Sequence, residues 1–251
     1  MNVSRSKFAS MVWPLCGAIS LLALWWLVIL VFEVEEYIAP TPLGVLQAVQ
    51  ADFNLLMWNL LPTLTEAISG FLLGNGLAIL VAIAFVHSMT LERMYFPIAV
   101  LFNTIPIIAL APILIHLLGL GMAPKIAIAT IICFFPTLVN MIRGFRSCSA
   151  NELELMRVLS ASRSEIFFKL RLPRSLPFLF ASLKITSTMA VIGAIVGEWI
   201  GSSQGIGALI IQATFNYRVG LLYAAIVVSS LFSLLLFALV VQAEKYFLRW
   251  E

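Results

Sequence analysis

Six predominantly apolar runs, at residues 12–32, 63–86, 97–118, 123–142, 176–201 and 220–242, dominate this chain, and each is long enough to cross about 30 Å of hydrocarbon as a helix. With 62% hydrophobic and only 11% charged residues, the polar surface is too small for a soluble domain of this length. The expected fold is therefore all-α: a polytopic membrane protein of six transmembrane helices in one domain over residues 1–251. The first run follows Arg5 and Lys7, exceeds the usual signal-peptide core and has no obvious cleavage site, so it is expected as a retained span.

Six spans put both chain ends on one face of the membrane. Twelve basic residues fall on that face: Arg5, Lys7, Arg93, Arg143, Arg146, Arg157, Arg163, Lys169, Arg171, Arg174, Lys245 and Arg249. The opposite face holds only Lys125 and Arg218. Basic residues near span ends resist translocation, so both termini and the segment 143–175 are expected in the cytoplasm. The net charge of +3 then marks a membrane face and not a nucleic-acid surface. Tyr246 and Trp250 are expected in the inner interfacial belt.

The segment from Arg143 to Pro177 is the one long polar stretch. Ser149 and Glu152 have the spacing of a capping box, in which the serine accepts from a helix amide and the glutamate reaches back, so a helix should begin at Ala150. Ser162 and Glu165 repeat the device. A helix, a turn near Ser160 and a second short helix stopped by Pro173 follow. Leu153, Met156 and Leu159, with Leu155 alongside, give the first helix an apolar face beside Glu152, Glu154 and Arg157. Such a surface is built to dock something.

This segment resembles the cytoplasmic loop of membrane subunits of binding-protein-dependent ABC importers, which carry Glu-Ala-Ala, three residues, Gly, nine residues and Ile-x-Leu-Pro. Here Glu154-Leu155-Met156, Ser160 and Leu170-Arg171-Leu172-Pro173 keep that spacing. Leu155 and Met156 depart from the alanines, and Ser160 replaces the glycine, at a cost of about 1 kcal/mol if the turn needs positive φ. The residues 157–163 and 172–177 are similar to the nitrate, sulfonate, taurine and bicarbonate branch. The resemblance implies a permease subunit in the bacterial inner membrane, with Glu152, Glu154, Met156, Arg157, Leu159, Ser160 and Ala161 coupling to an ATPase. Ser149, Ser162 and Glu165 would hold the caps. Implied partners are two ATPase copies, an extracytoplasmic solute-binding protein, a second copy of the chain and the bilayer. Related permeases also serve vitamin precursors such as riboflavin and thiamine pyrimidines, so both solute classes stay open.

Matches to that family extend from Ile38 to Gly207. Ile38 to Pro42 resembles its extracytoplasmic Leu-Pro-Ser-Pro element, and a helix over 45–57 is expected either to contact a binding protein or to cover the bundle. Thr63-Leu64 with Gly70-Phe71 matches a pattern that usually has Arg where this chain has Glu66, which is expected in the headgroup region or paired with a base. Gly70 and Gly74, with Gly76, are expected to admit a close helix. Pro97, Pro106 and Pro112 recur through the third run, which should therefore lie inside protein. The translocation path implied by the family takes Asn103, Pro106, His116 and Glu198, with His116 either a hydrogen-bonded structural residue or a relay. Lys184 is expected to snorkel to the cytoplasm or to meet solute. Gly193, Gly197 and Gly201 form a bare helix face, expected at close helix packing and at the centre of a dimer. Glu198 and Trp199, before Gly205-Ile206-Gly207, shape an outer mouth or anchor a helix end.

No phosphate-binding Gly-x-x-x-x-Gly-Lys loop, His-Glu-x-x-His or Cys-x-x-Cys occurs, and neither His87 nor His116 has a triad context. Cys16, Cys133 and Cys148 have no paired spacing and are expected as small buried hydrophobes. The chain is expected to be no enzyme and to bind no cofactor or metal, with ATP and magnesium on the partner ATPase. An ATP-independent secondary transporter is the alternative of another class, though the sparse charge within the runs speaks against it, and a membrane enzyme or scaffold is a third.

Overall fold

The computed structural model describes the backbone of residues 3–248 and the side chains of residues 12–248. Arg249 and Trp250, and the side chains of Arg5 and Lys7, lie outside the described residues. Among those residues every regular element is helical.

Helix α1, Val3–Val31, carries the first span. Thr41 then accepts from the Gly44 N–H, and Pro42 opens α2, Pro42–Ala51, where its missing N–H costs nothing. Asp52 caps α2, and α3, Phe53–His87, follows at once. The helix expected over 45–57 is thus divided at Asp52, and the second span starts well before residue 63. The third run departs further. Pro106 forces Ile105 into extended backbone at ψ 126°, which splits the expected span 97–118 into α4, Met89–Thr104, and α5, Ile107–Leu118, bent by 101°. The expectation that this run lies inside protein fails for the chain alone: α4 buries no side chain and α5 only Ala111. A sharply bent pair cannot lie along a straight neighbour over its whole length.

Helix α6, Met122–Phe145, forms the next span, followed by α7, Ala150–Val158, and α8, Arg163–Ile166. Pro173 does not stop α8, against expectation. A π-helical turn at Phe167–Arg171 carries it into α9, Leu172–Glu198, because Leu172 N–H donates five residues back to the Phe167 carbonyl and the widened turn accommodates the proline ring. Residues Arg163–Glu198 so read as one apolar helix of 36 residues. Helix α10, Ile206–Phe215, was not expected and is too short to span; α11, Val219–Phe247, is the last span. Among the described residues five helices are long and apolar enough to cross a membrane, and the bent α4–α5 pair makes a sixth if it counts as one span.

The chain packs as two compact units, Met1–Met57 with Leu209–Val228, and Trp58–Ala208 with Ser229–Glu251. In the first, Arg218 donates to both carboxylate oxygens of Asp52 at 2.9 Å, and Trp25 stacks on Tyr223. The second has its core between α3, α6 and α9. Ala78, Phe85, Leu138, Met141, Phe145 and Phe167 pack near the α7 end, and Ala67, Cys133, Ala190 and Ala194 lie farther along. Cys133 is buried as expected, whereas Cys16 is exposed and Cys148 only half-buried.

Glycines set the spacing of that core. A Cβ on Gly70 would overlap Ala129, and one on Gly193 would lie 2.8 Å from the Ala129 Cα, so α6 is gripped from two sides at one residue. Gly74 abuts Cys133 and Gly197 abuts Lys125. Gly193 and Gly197 therefore pack against α6 of their own chain, as the close helix packing expected of them requires. Gly201 is not helical; it sits in a loop at φ +77°. Gly76 faces open space within the chain and meets no other helix of it.

Candidate functional site

The polar segment folds as two capped helices at the end of α6. The Ser149 hydroxyl accepts from the Glu152 N–H at 3.2 Å while Glu152 Oε2 accepts from the Ser149 N–H at 2.8 Å; Ser162 and Glu165 repeat this at 3.2 and 2.9 Å. Ser160 takes φ +56°, and around it Ala161 N–H donates to the Met156 carbonyl and Ser160 N–H to that of Arg157, both at 2.9 Å. These two bonds make a Schellman stop, with serine doing the work usually left to glycine. The Arg174 guanidinium binds Glu152 Oε1 and ties α7 to the first turn of α9. The Ser149 backbone N–H, then Arg174 and the Ser149 hydroxyl, hold the Glu152 carboxyl below the usual carboxylate range.

The outward face of α7 differs from the one expected. Met156 and Leu153 are half-buried against the chain, while Leu155, Val158 and Leu159 stand exposed at i, i+3 and i+4, flanked by exposed Glu154 and Arg157. Val158 was missed because a spacing of three from Leu153 passes over it. Three exposed aliphatic side chains thus stand together on a capped, charged-edged helix, and none of them offers chemistry.

At the other end of α6, α3, α6 and α9 bring together a buried polar cluster that holds the loop after α9. Thr63 donates to Glu198 Oε1 at 2.6 Å and accepts from Ile206 N–H at 2.8 Å, Gly207 N–H donates to Glu198 Oε2 at 2.6 Å, and Gly205 N–H donates to Asn59 at 3.0 Å. Asn59, Thr63 and Glu198 thus satisfy in turn the amides of Gly205, Ile206 and Gly207 that open α10. A Cβ on Gly205 or Gly207 would overlap Glu198, which explains both glycines. Beside this, Lys125 Nζ donates to Glu66 Oε1 at 2.8 Å and to the Ser202 hydroxyl at 2.9 Å. Glu66 is fully buried, so of its two expected settings the structure takes the pair with a base; Lys125, expected outside, is that base.

Of the residues expected on a path, Asn103 and Pro106 flank the α4–α5 break and His116 ends α5, all exposed in the single chain. Glu198 is not among them; both its oxygens are committed, which corrects its reading as an open-mouth acid. Lys184 does not extend freely to the surface but meets both oxygens of Glu244 at 2.9 Å. Sequence reasoning missed Asn75, whose amide oxygen accepts from Thr137 at 2.5 Å and Thr186 at 3.0 Å and so joins α3, α6 and α9. A lone amide in an apolar run was the available signal.

Residues 74–248 match the family described as binding-protein-dependent transport system inner membrane component. A probable ABC transporter permease protein of Haemophilus influenzae is 35% identical over 86% of this chain and 89% of its own length. A formylaminopyrimidine transport permease protein of Halalkalibacterium halodurans is 31% identical over 86% and 87%, and a riboflavin transport system permease protein of Chloroflexus aurantiacus 30% over 95% and 91%. An inward-facing structure of the MetNI methionine ABC transporter covers 83% of this chain and 98% of its own at a TM-score of 0.61 and 19% identity, a likeness of fold. By these matches the chain belongs to the inner membrane components of binding-protein-dependent transport systems, the multi-pass permeases of ABC importers.

Proposed function

We propose that this chain docks a cytoplasmic ATPase through α7 and uses the force received there to move a small nitrogen heterocycle, a vitamin or vitamin precursor, across the membrane. The observation that carries the docking is the exposed Leu155, Val158 and Leu159 on a helix fixed by two capping boxes and the Glu152–Arg174 tie. A push on α7 passes through Arg174 and through the unbroken run of Arg163–Glu198 into α9, and from there into α6 by the Gly193 contact. ATP binding then biases one packing of the bundle over another through differential contacts at this loop. ATP and magnesium belong to the ATPase. One ATPase under each of two permease copies, with the second copy covering the bare α4–α5 pair, completes the assembly, and the bias of basic residues supports a cytoplasmic position for α7 and both termini.

The heterocycle reading rests on charge. Lys125 and Lys184, two cations that lie inside helices α6 and α9, are each paired with a carboxylate, so neither offers a lone positive charge to a nitrate or sulfonate. Relatives named for formylaminopyrimidine and riboflavin agree with this, while another, 27% identical, is named for aliphatic sulfonates.

Purification from host membranes should recover an ATPase and a binding protein with the wild-type chain, and Glu154→Lys or Leu159→Asp should release the ATPase and abolish uptake of labelled formylaminopyrimidine while the chain stays folded. Uptake unchanged in both variants, or persisting without any ATPase, would sink the docking model. Uptake of taurine in place of the pyrimidine would transfer the solute to the anionic class.

A further inference from the structure

A cavity of about 620 Å³ opens between α7 and the start of α9. Lys169 and Arg174 line its polar side, with exposed Ser147 beside them, and their side chains keep 67% and 58% of their surface open to solvent. The Lys169 ammonium donates to Glu165 and the Arg174 guanidinium, through one nitrogen, to Glu152. An ammonium carries three N–H bonds and a guanidinium five, so both have donors left to give. Glu152 also borders the cavity, but its oxygens are engaged by Arg174 and by Ser149. Arg171 adds a third cation, close enough to Cys148, next to Ser147, to act on its thiol. Three cations against Glu152 and Glu165 leave this side positive.

Leu170, Pro177 and Phe178 form the other side, with no charge among them. Lys169 and Arg174 precede the apolar run that begins at residue 176, and Pro177 and Phe178 stand in its first turn. The cavity therefore straddles the boundary between headgroups and hydrocarbon. A ligand that fills it has to be anionic at one end and apolar at the other. A free phosphate would leave the apolar side empty, and an acidic peptide would have to bring its backbone to the edge of the hydrocarbon. An anionic phospholipid meets both demands from where it already lies, as headgroups do in basic pockets between transmembrane helices. We propose that this cavity holds such a headgroup, with Lys169 and Arg174 donating to its phosphate and Leu170, Pro177 and Phe178 meeting the first carbons of its chains. The lipid braces α7 against α9 beside the Glu152–Arg174 tie. None of Leu155, Val158 and Leu159 lines the cavity, so the site is separate from the face proposed for the ATPase. It rests on the cytoplasmic placement of α7 only for which leaflet supplies the lipid.

The test uses the permease, with and without its ATPase, from nanodiscs of phosphatidylcholine mixed with phosphatidylglycerol, and counts retained lipid by native mass spectrometry. Nanodiscs expose both leaflets, so a wrong orientation does not hide the site. Wild type should keep phosphatidylglycerol over phosphatidylcholine, and an excess of inorganic phosphate should not displace it. Lys169→Gln should weaken retention by about fivefold, what one basic residue contributes at an anionic surface. Ser147→Trp fills the cavity from its exposed rim and should weaken it by roughly tenfold or more. Arg163→Gln removes an exposed cation that does not line the cavity and should retain the lipid as wild type does. Phosphatidylglycerol should raise the melting temperature of wild type and Arg163→Gln above that of the two cavity variants. If Ser147→Trp fails to fold, Lys169→Gln against Arg163→Gln decides. Equal retention in all the chains, or an equal loss in Arg163→Gln, would overturn the site. Phosphatidylcholine kept as firmly would overturn recognition of the charge, and displacement by phosphate would overturn the lipid as occupant. Loss of the lipid whenever the ATPase is bound would give the cavity to an acidic segment of that partner instead. Docking itself is read separately, by whether the ATPase stays with the chain.

Discussion

Arg174, in the first turn of α9, donates to Glu152 in the first turn of α7, and the other oxygen of the same carboxylate caps α7 at Ser149. One side chain therefore both finishes α7 and fastens it to α9.

That arrangement makes α7 sensitive to acid. Glu152 is held below the usual carboxylate range, so its contribution is complete above that range and is lost as pH falls through the lowered value. Hydrogen-exchange protection of the first α7 amides should drop on acidification in wild type and show no such step in Glu152→Gln. Ser149→Ala should lower protection at neutral pH by about fivefold, the equivalent of about 1 kcal/mol for a lost cap. Equal protection in all three chains would mean that packing alone holds α7.

Ser160 stands at φ +56°, where a side chain is strained and glycine is not. Ser160→Gly should stabilise the turn by up to about 1 kcal/mol, and Ser160→Val should destabilise it by a similar amount or more, because a β-branched side chain crowds this conformation further. Exchange at the Ala161 amide, which closes the stop onto Met156, reads both directions. A stabilising valine would contradict the left-handed turn.

The glycines separate packing from mere sequence pattern. Gly193→Ala places a Cβ against the Ala129 backbone and should cost about 1–3 kcal/mol, seen as a lower melting temperature of the detergent-solubilised chain. Gly76→Ala meets nothing and should be neutral or stabilising by up to about 1 kcal/mol, since alanine favours the helix. Were Gly193 at a dimer centre, its substitution would change dimer recovery and leave melting of the single chain untouched.

Much of this architecture was legible in the residues. Apolar run length gave the spans, and the Ser149 and Ser162 boxes gave the two helix starts, because a cap is local chemistry that needs only its own turn. Partners across space were not legible. Glu66 and Lys125 lie 59 positions apart and Lys184 and Glu244 lie 60 apart, and no periodicity links them. Pro173 and Pro106 show the same limit from the other side. Both are prolines in apolar surroundings, yet one is absorbed by a π-helical turn and the other breaks its span by 101°, since the outcome depends on which carbonyls can find other donors.

The Lys184–Glu244 pair offers the sharpest check on α9 and α11. Their side chains are 28% and 23% exposed, so water screens the pair in part and its loss should cost less than that of a fully buried one. Lys184→Met or Glu244→Gln alone leaves a charge among apolar helices without its counter-ion and should destabilise by about 2 kcal/mol. The double variant removes both charges and should recover most of that loss, as should the reversal Lys184→Glu with Glu244→Lys. Thermal melting of the four chains in one detergent gives the coupling directly. Additive single effects would mean that each side chain finds its own route to water, and that the charge of Lys184 is free to meet solute after all.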